Sequence, residues 1–175
     1  QRYDIWTMAS DYHNVPQING QPQHVGGEFV AKDVVYEATD EAVTYRLNIS
    51  NAYPEDAGVT SWIRTIGFTR GQDVQVEDVY ALTKPDALTL HLMTASEVVV
   101  GNGILDLKEV PLADGRVSGA AKIHFDADVF NVSTEEISLV DGEKLHTVWG
   151  PRVVRITLCV KNPQTQGQWT LRITK

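Results

Sequence analysis

The residues best placed to do chemistry lie in one stretch: Tyr12-His13-Asn14-Val15-Pro16-Gln17-Ile18-Asn19-Gly20-Gln21-Pro22-Gln23. His13 carries an imidazole ring, which can donate or accept a hydrogen bond or ligate a metal. Asn14 and Gln23 can donate and accept hydrogen bonds, and Tyr12 presents an aromatic face with a polar tip. Pro16 removes a backbone donor and suits a strand edge, and Asn19-Gly20 suits a tight turn with positive φ. On residue types alone the stretch is a strand end, a turn and a new strand. Asn14 and Gln23 are then ordinary closers of that turn, and Tyr12 is half-buried packing.

Arg64 is the second residue of interest. It falls in register with Trp62, Ile66 and Phe68, the inward face of an expected strand. A guanidinium on an apolar face needs a carboxylate, and Asp78 is the natural partner, which makes a structural ion pair. His24, His91, His124 and His146 are scattered without ligand spacing and read as surface or strand residues. No phosphate-binding glycine loop, GxSxG elbow or Cys-x-x-Cys is present. Cys159, the single cysteine, excludes an internal disulfide and reads as a small strand residue. Asn48-Ile49-Ser50 and Asn131-Val132-Ser133 match the glycosylation tripeptide, which arises readily by chance.

These side chains must be positioned by strands, because alternation of apolar and polar residues runs through the chain and helical periodicity is nearly absent. Val43, Tyr45, Leu47 and Ile49 alternate with polar neighbours, as do Leu88, Leu90 and Leu92, then Val154, Ile156, Leu158 and Val160, and finally Trp169, Leu171 and Ile173. Gly101-Asn102-Gly103 predicts a hairpin, and Asp114-Gly115 and Asp141-Gly142 predict reversals. Pro54–Gly58 reads as a loop with room for one helical turn, and Ala113–Ala121 as a mobile connection. Ten or more short strands predict an all-β fold, a two-layer antiparallel β-sandwich. Residues 1–25 carry the His13 stretch as a segment continuous with a sheet, and 26–175 form the sandwich, one domain overall. Earlier strands of a larger sheet are expected outside this chain, leaving part of the sandwich edge exposed.

At 175 residues the chain can close a core without metal or disulfide. Its formal charge of −8 argues against nucleic acid, which needs a clustered basic face. No apolar run approaches the ~20 residues of a membrane helix. The chain starts without Met or a leader pattern, so it is read as a processed product or a piece of a longer protein. Of the four tryptophans, Trp6, Trp62, Trp149 and Trp169, three lie in register with strand cores, which fits packing.

His13-Asn14-Val15-Pro16 with Ile18-Asn19-Gly20 and Gln23 resembles the HN-x-P-x-(I/V)-NG-x-x-Q segment of the heparinase II/III family of polysaccharide lyases. A second block, Asn51-Ala52-Tyr53-Pro54 through Trp62-Ile63-Arg64-Thr65 to Asp73-Val74-Gln75-Val76-Glu77-Asp78, is similar to that family's strand pair. Trp149-Gly150-Pro151-Arg152 fits the same β-domain. The resemblance implies the C-terminal β-sandwich domain of a lyase that cleaves uronic-acid-containing glycans by β-elimination. Its partners would be an anionic polysaccharide and the N-terminal helical toroid of the same parent chain, with no nucleic acid and no membrane. Tyr12, His13, Asn14 and Gln23 would face substrate, while the base, acid and carboxylate neutraliser would sit largely on the toroid. The domain alone would then be non-catalytic and hold no cofactor. In the full-length parent, His13 would join a structural zinc whose other ligands precede this chain. Location would be periplasmic or secreted to the cell surface. The rival class is a non-catalytic carbohydrate-binding or adhesion module, marked by exposed aromatics along one sheet face.

Overall fold

The structure is a computed structural model that describes residues 5–112 and 115–175. Twelve strands lie in two antiparallel sheets among the described residues. They are β1 (Pro16–Ile18), β2 (Lys32–Ala38), β3 (Ala42–Asn48), β4 (Val59–Thr69), β5 (Asp73–Leu82), β6 (Leu88–Thr94), β7 (Glu97–Gly101), β8 (Ile104–Lys108), β9 (Ala121–His124), β10 (Phe130–Ser138), β11 (Arg152–Val160) and β12 (Gln166–Thr174). A small sheet runs β1-β6-β11-β10 and a large one β2-β3-β4-β5-β12-β9-β8-β7. The alternation seen in the sequence is thus that of two sheets packed face to face, as expected of a sandwich.

Between the sheets, Leu88 and Leu90 of β6 and Ile156 and Leu158 of β11 bury against Trp62, Leu105, Ile123 and Leu171 of the large sheet. Each such side chain contributes roughly 1.5–3 kcal/mol through burial. Four rings tie both layers: Trp62 stacks on Tyr80 at 5.1 Å, and Trp169 lies 5.5 Å from Trp62 and 5.3 Å from Phe130. Trp169 and Trp62 are buried as expected; Trp6 and Trp149 are not part of this core. Phe68 also departs from its expected inward burial. It sits beyond the reach of the small sheet, 38% exposed, with the Arg70 guanidinium 5.6 Å above its ring.

Short helical turns account for what periodicity could not find. Residues Trp6–Met8, Ser10–Tyr12, Ser50–Ala52 and Glu55–Ala57 form 3-10 turns, the last ending at Gly58 with φ 64°. The helix α1 (Lys144–Trp149) follows Asp141-Gly142 and is only six residues long, too short to show a repeat. Gly101 and Ile104 pair across the predicted hairpin, with Gly103 at φ 72°. Of the Asp114-Gly115 reversal and the connection ending at Ala121, Ala113 and Asp114 lie outside the described residues. Within the described part, the Ser96 hydroxyl donates to Ser118 and to the Gly119 carbonyl, and Ser118 and Val110 exchange two further bonds. That part is anchored rather than loose.

The Asn-Gly turn is the anchor of β1. Asn19 and Gly20 have φ 52° and 74°, and Ile18 and Gln21 exchange both backbone bonds across them. The Asn19 amide donates to the carbonyls of Ala57 and Lys84 at 2.8 Å each, and its oxygen accepts from the N–H of Asp86 and Ala87 at 2.9 and 3.3 Å. One side chain therefore joins three loops. Asn19→Ala is expected to cost about 2–4 kcal/mol, from orphaned carbonyls and N–H groups and a disfavoured left-handed residue. Urea unfolding measures it; a loss below about 1 kcal/mol would mean that solvent replaces those bonds. The outer edge of β1 is closed: Ile18 is bonded to Gln21, and the Pro16 carbonyl accepts from the buried Tyr53 hydroxyl. The open edge expected at this end of the sandwich is therefore not found at β1.

Candidate functional site

Strand register brings Arg64 opposite Asp78 between β4 and β5, and Trp169 opposite Asp78 between β5 and β12. Asp78 is fully buried and accepts four hydrogen bonds. Two come from Arg64 Nε and Nη2 (2.8 and 2.7 Å), one from Trp62 Nε1 (2.8 Å) and one from Trp169 Nε1 (3.1 Å). A bidentate, charge-assisted pair with every carboxylate lone pair used is the arrangement in which burial is tolerated. Burial by itself pushes the Arg64 guanidinium down, but its bonds to and charge attraction from Asp78, with a smaller contribution from Tyr53, hold it above its ordinary value. Its remaining nitrogen, Nη1, donates to the Asn14 carbonyl at 2.9 Å. The ion pair thus reaches out of the core and fixes the backbone next to His13.

The other motif residues divide by task. Asn14 accepts through Oδ1 from the Met93 N–H at 2.9 Å, which pins the strand end to β6. The Gln23 side-chain amide donates to the Tyr53 hydroxyl at 3.4 Å, and the Gln23 backbone N–H donates to Ser10 Oγ at 2.9 Å. Both side chains, which the resemblance places toward substrate, are therefore committed to the scaffold. Burial pushes the Tyr53 hydroxyl well above the ordinary tyrosine range, so it serves as a neutral bridge. Tyr12 is half-buried; the Arg155 guanidinium lies 4.8 Å above its ring, and Trp6 meets it edge-on at 5.0 Å. Arg155 is in turn paired with Glu135 at 2.7 Å. Among the described residues, His13 alone of the motif's hydrogen-bonding side chains is exposed with no hydrogen bond from its ring.

His13 stands between two depressions. The first, of about 290 Å³, is lined by the rings of Trp6, Tyr12 and Trp149 and by Met93, Ala95, Leu139, Leu145 and Val153. The second, of about 440 Å³, is more polar and is lined by Ser10, Val15, Gln23 and His24. Trp6 and Trp149 escape strand-based reading because they sit on a 3-10 turn and on α1, outside any alternating run. Of the three tryptophans expected in register with strand cores, only Trp62 and Trp169 are so placed; Trp6 and Trp149 both lie off the strands. No lysine or arginine lines the first depression, so it suits the flat apolar face of a ring, with His13 as a hydrogen-bonding group at the rim.

His91 lies behind this corner on β6, buried, with Nδ1 3.4 Å from Thr157 Oγ1. Burial, helped by the charge of Arg155, pushes it below its ordinary value, so it is a neutral packing residue rather than a surface one. Among the described residues no three His, Cys, Asp or Glu side chains gather closely enough to hold a metal ion. His13 shares its groove with His24 but with no third donor, so the residues present do not make a zinc site by themselves. No helix is long and apolar enough to cross a membrane among the described residues.

No protein-family model matches the chain, and neither does any curated protein sequence. Solved structures match in shape. Heparan sulfate lyase HepC from Pedobacter heparinus superposes with a TM-score of 0.67 at 14% identity, covering 97% of this chain and 25% of that one. A mutant of the same enzyme gives 0.69 at 13% identity, with the same coverage. A heparinase III gives 0.67 at 12% identity, covering 97% of this chain and 24% of the other. The chain spans about a quarter of the length of the solved chains it matches. At such identities the likeness is one of fold: this chain has the β-sandwich fold found in part of these lyase structures.

Proposed function

We propose that this chain is the β-sandwich domain of a heparinase-like polysaccharide lyase that cleaves uronic-acid-containing glycans by β-elimination. It forms one wall of the substrate cleft and is inactive without the helical domain of its parent. The observation that carries the reading is the corner itself: an exposed His13 beside a hollow walled by Trp6, Tyr12 and Trp149, on a fold shared with heparan sulfate lyases. β-Elimination withdraws the proton α to the uronate carboxyl and expels the glycosidic oxygen, so it needs a base, an acid and a group that neutralises the carboxylate. The hollow offers one imidazole and aromatic faces, which can seat a sugar ring and bond one of its oxygens. The remaining groups must come from the parent. By the same reading the parent is exported to the periplasm or cell surface. His13 would enter a zinc site only with donors supplied by the rest of that parent, and nothing in the proposed glycan contact depends on a metal.

The test is a tryptophan-fluorescence titration of this chain with heparan sulfate oligomers. Trp149→Ala is expected to weaken the interaction about tenfold or more, since a half-exposed tryptophan in a hollow is the type of side chain that dominates such contacts. Unchanged affinity in that variant would remove the hollow from the binding surface and overturn the reading.

A further inference from the structure

Each sheet has two edges, and they are not alike. In the small sheet, β1 is closed by Gln21 and Tyr53, and β10 carries the adjacent carboxylates of Glu135 and Glu136. In the large sheet, the β2 edge is interrupted between Lys32 and Val35, with Asp33 at φ 53°. Charges, irregularities and covering side chains keep a sheet edge from pairing with another chain. The β7 edge, Glu97-Val98-Val99-Val100-Gly101, has a single charge at its first residue and pairs with β8 without a register shift. Val99 is 47% exposed on one face of the sheet and Val100 46% on the other. The register also shows which backbone groups are open. Gly101 pairs with Ile104 across the two residues Asn102 and Gly103, so that pair exchanges both backbone bonds. Hydrogen-bonded pairs alternate along an antiparallel ladder, so Val99 and Glu97 also spend their groups on β8. The N–H and C=O of Val98 and Val100 therefore point outward, and among the described residues no strand lies across from them. Just before the strand, the Ser96 N–H is already taken by Thr94 Oγ1.

We infer that β7 is a self-pairing edge, through which two copies of this chain join their large sheets antiparallel about an axis at Val99. The register that sets Val99 opposite itself is the one that satisfies every open group. Val98 of each copy then exchanges both backbone bonds with Val100 of the other, and Glu97 falls opposite Gly101 instead of another carboxylate. Val99 meets its own copy on one face, and Val98 meets Val100 on the other. Charge does not oppose the contact locally. Glu97 is opposite Lys108 and Asp106 is opposite Lys122, while Lys108 also bonds Asp106, so these charges cancel. The formal −8 is carried elsewhere on the chain, and such charge is screened beyond about 8 Å at physiological salt. A strand of another protein could use the same outward groups, but a second copy matches them by symmetry alone. The pairing does not depend on the lyase reading.

Analytical ultracentrifugation of this chain between roughly 5 and 500 µM is expected to show the mass rising from 19.4 kDa toward twice that value, the small contact making the dimer weak. Val100→Pro removes an outward N–H without touching a bond to β8, and Val99→Lys sets two ammonium groups face to face. Each is expected to raise the midpoint concentration about tenfold or more, with the tryptophan fluorescence of the fold unchanged. Oxidation locates the contact. In a Cys159→Ser background, Val99→Cys is expected to form an intermolecular disulfide, because opposed residues of a non-hydrogen-bonded pair lie within bonding range. Val35→Cys on the β2 edge is the control and should cross-link about tenfold more slowly. A chain that stays monomeric through this range, or a midpoint unchanged in both variants, would overturn the inference. Cross-linking at position 35 as fast as at position 99 would also overturn it, by moving the contact to the other edge. None of these results bears on the glycan titration.

Discussion

An Asp78→Ala chain is expected to lose about 3–5 kcal/mol of unfolding free energy, the range seen when one partner of a buried ion pair is removed. The change strands the buried Arg64 charge and leaves the indole N–H groups of Trp62 and Trp169 without their acceptor. Asp78→Asn keeps the volume and one acceptor but turns an amide donor toward groups that are themselves donors, so it should recover only part of the loss. Urea unfolding followed by tryptophan fluorescence reports the difference directly, since both buried indoles touch the substituted residue. The same variant should also loosen the corner, because Arg64 Nη1 holds the Asn14 carbonyl. A cost below about 1 kcal/mol would show that water fills the site and that the ion pair is not what organises these strands.

The second large effect is functional. On the lyase reading proposed above, His13→Ala in the full-length parent is expected to reduce kcat/KM by about a hundredfold, the size of effect associated with one positioned proton-handling or hydrogen-bonding group. Stability should barely change, because the ring is exposed and makes no hydrogen bond among the described residues. That contrast separates His13 from Asn14 and Gln23, whose side chains bond the Met93 N–H and the Tyr53 hydroxyl and whose replacement would disturb the scaffold before it touched substrate. Turnover of heparan sulfate within a factor of two or three of the unsubstituted enzyme would place the cleft elsewhere on the domain.

Much of this was legible without coordinates. Alternating apolar residues announce strands because a pleated backbone sends successive side chains to opposite faces, and that rule is local. The Asn-Gly turn was legible for the same reason, since its positive φ is a property of two adjacent residues. The pairing of Arg64 with Asp78 could be anticipated from the cost of an unpaired buried charge. Its four-bond form, with two indoles joining from β4 and β12, depends on which strands become neighbours. α1 and the N-terminal turns were invisible, being shorter than the repeat by which helices are recognised.

What the sequence by itself determined is the alphabet of this domain: strands, turns, a buried arginine that demands an acid, and a histidine three residues before a proline. Which face each strand shows, and to what, was decided by tertiary structure alone. Trp6 and Trp149 are 143 positions apart and become walls of one hollow only because a 3-10 turn and a six-residue helix meet over β6 and β11. Tyr36 and Tyr45 alternate as faithfully as any core residue, yet lie bare because the second sheet has four strands and not eight. Alternation is set by neighbouring bonds, whereas coverage is set by how many strands stand opposite, and no short stretch of chain carries that number.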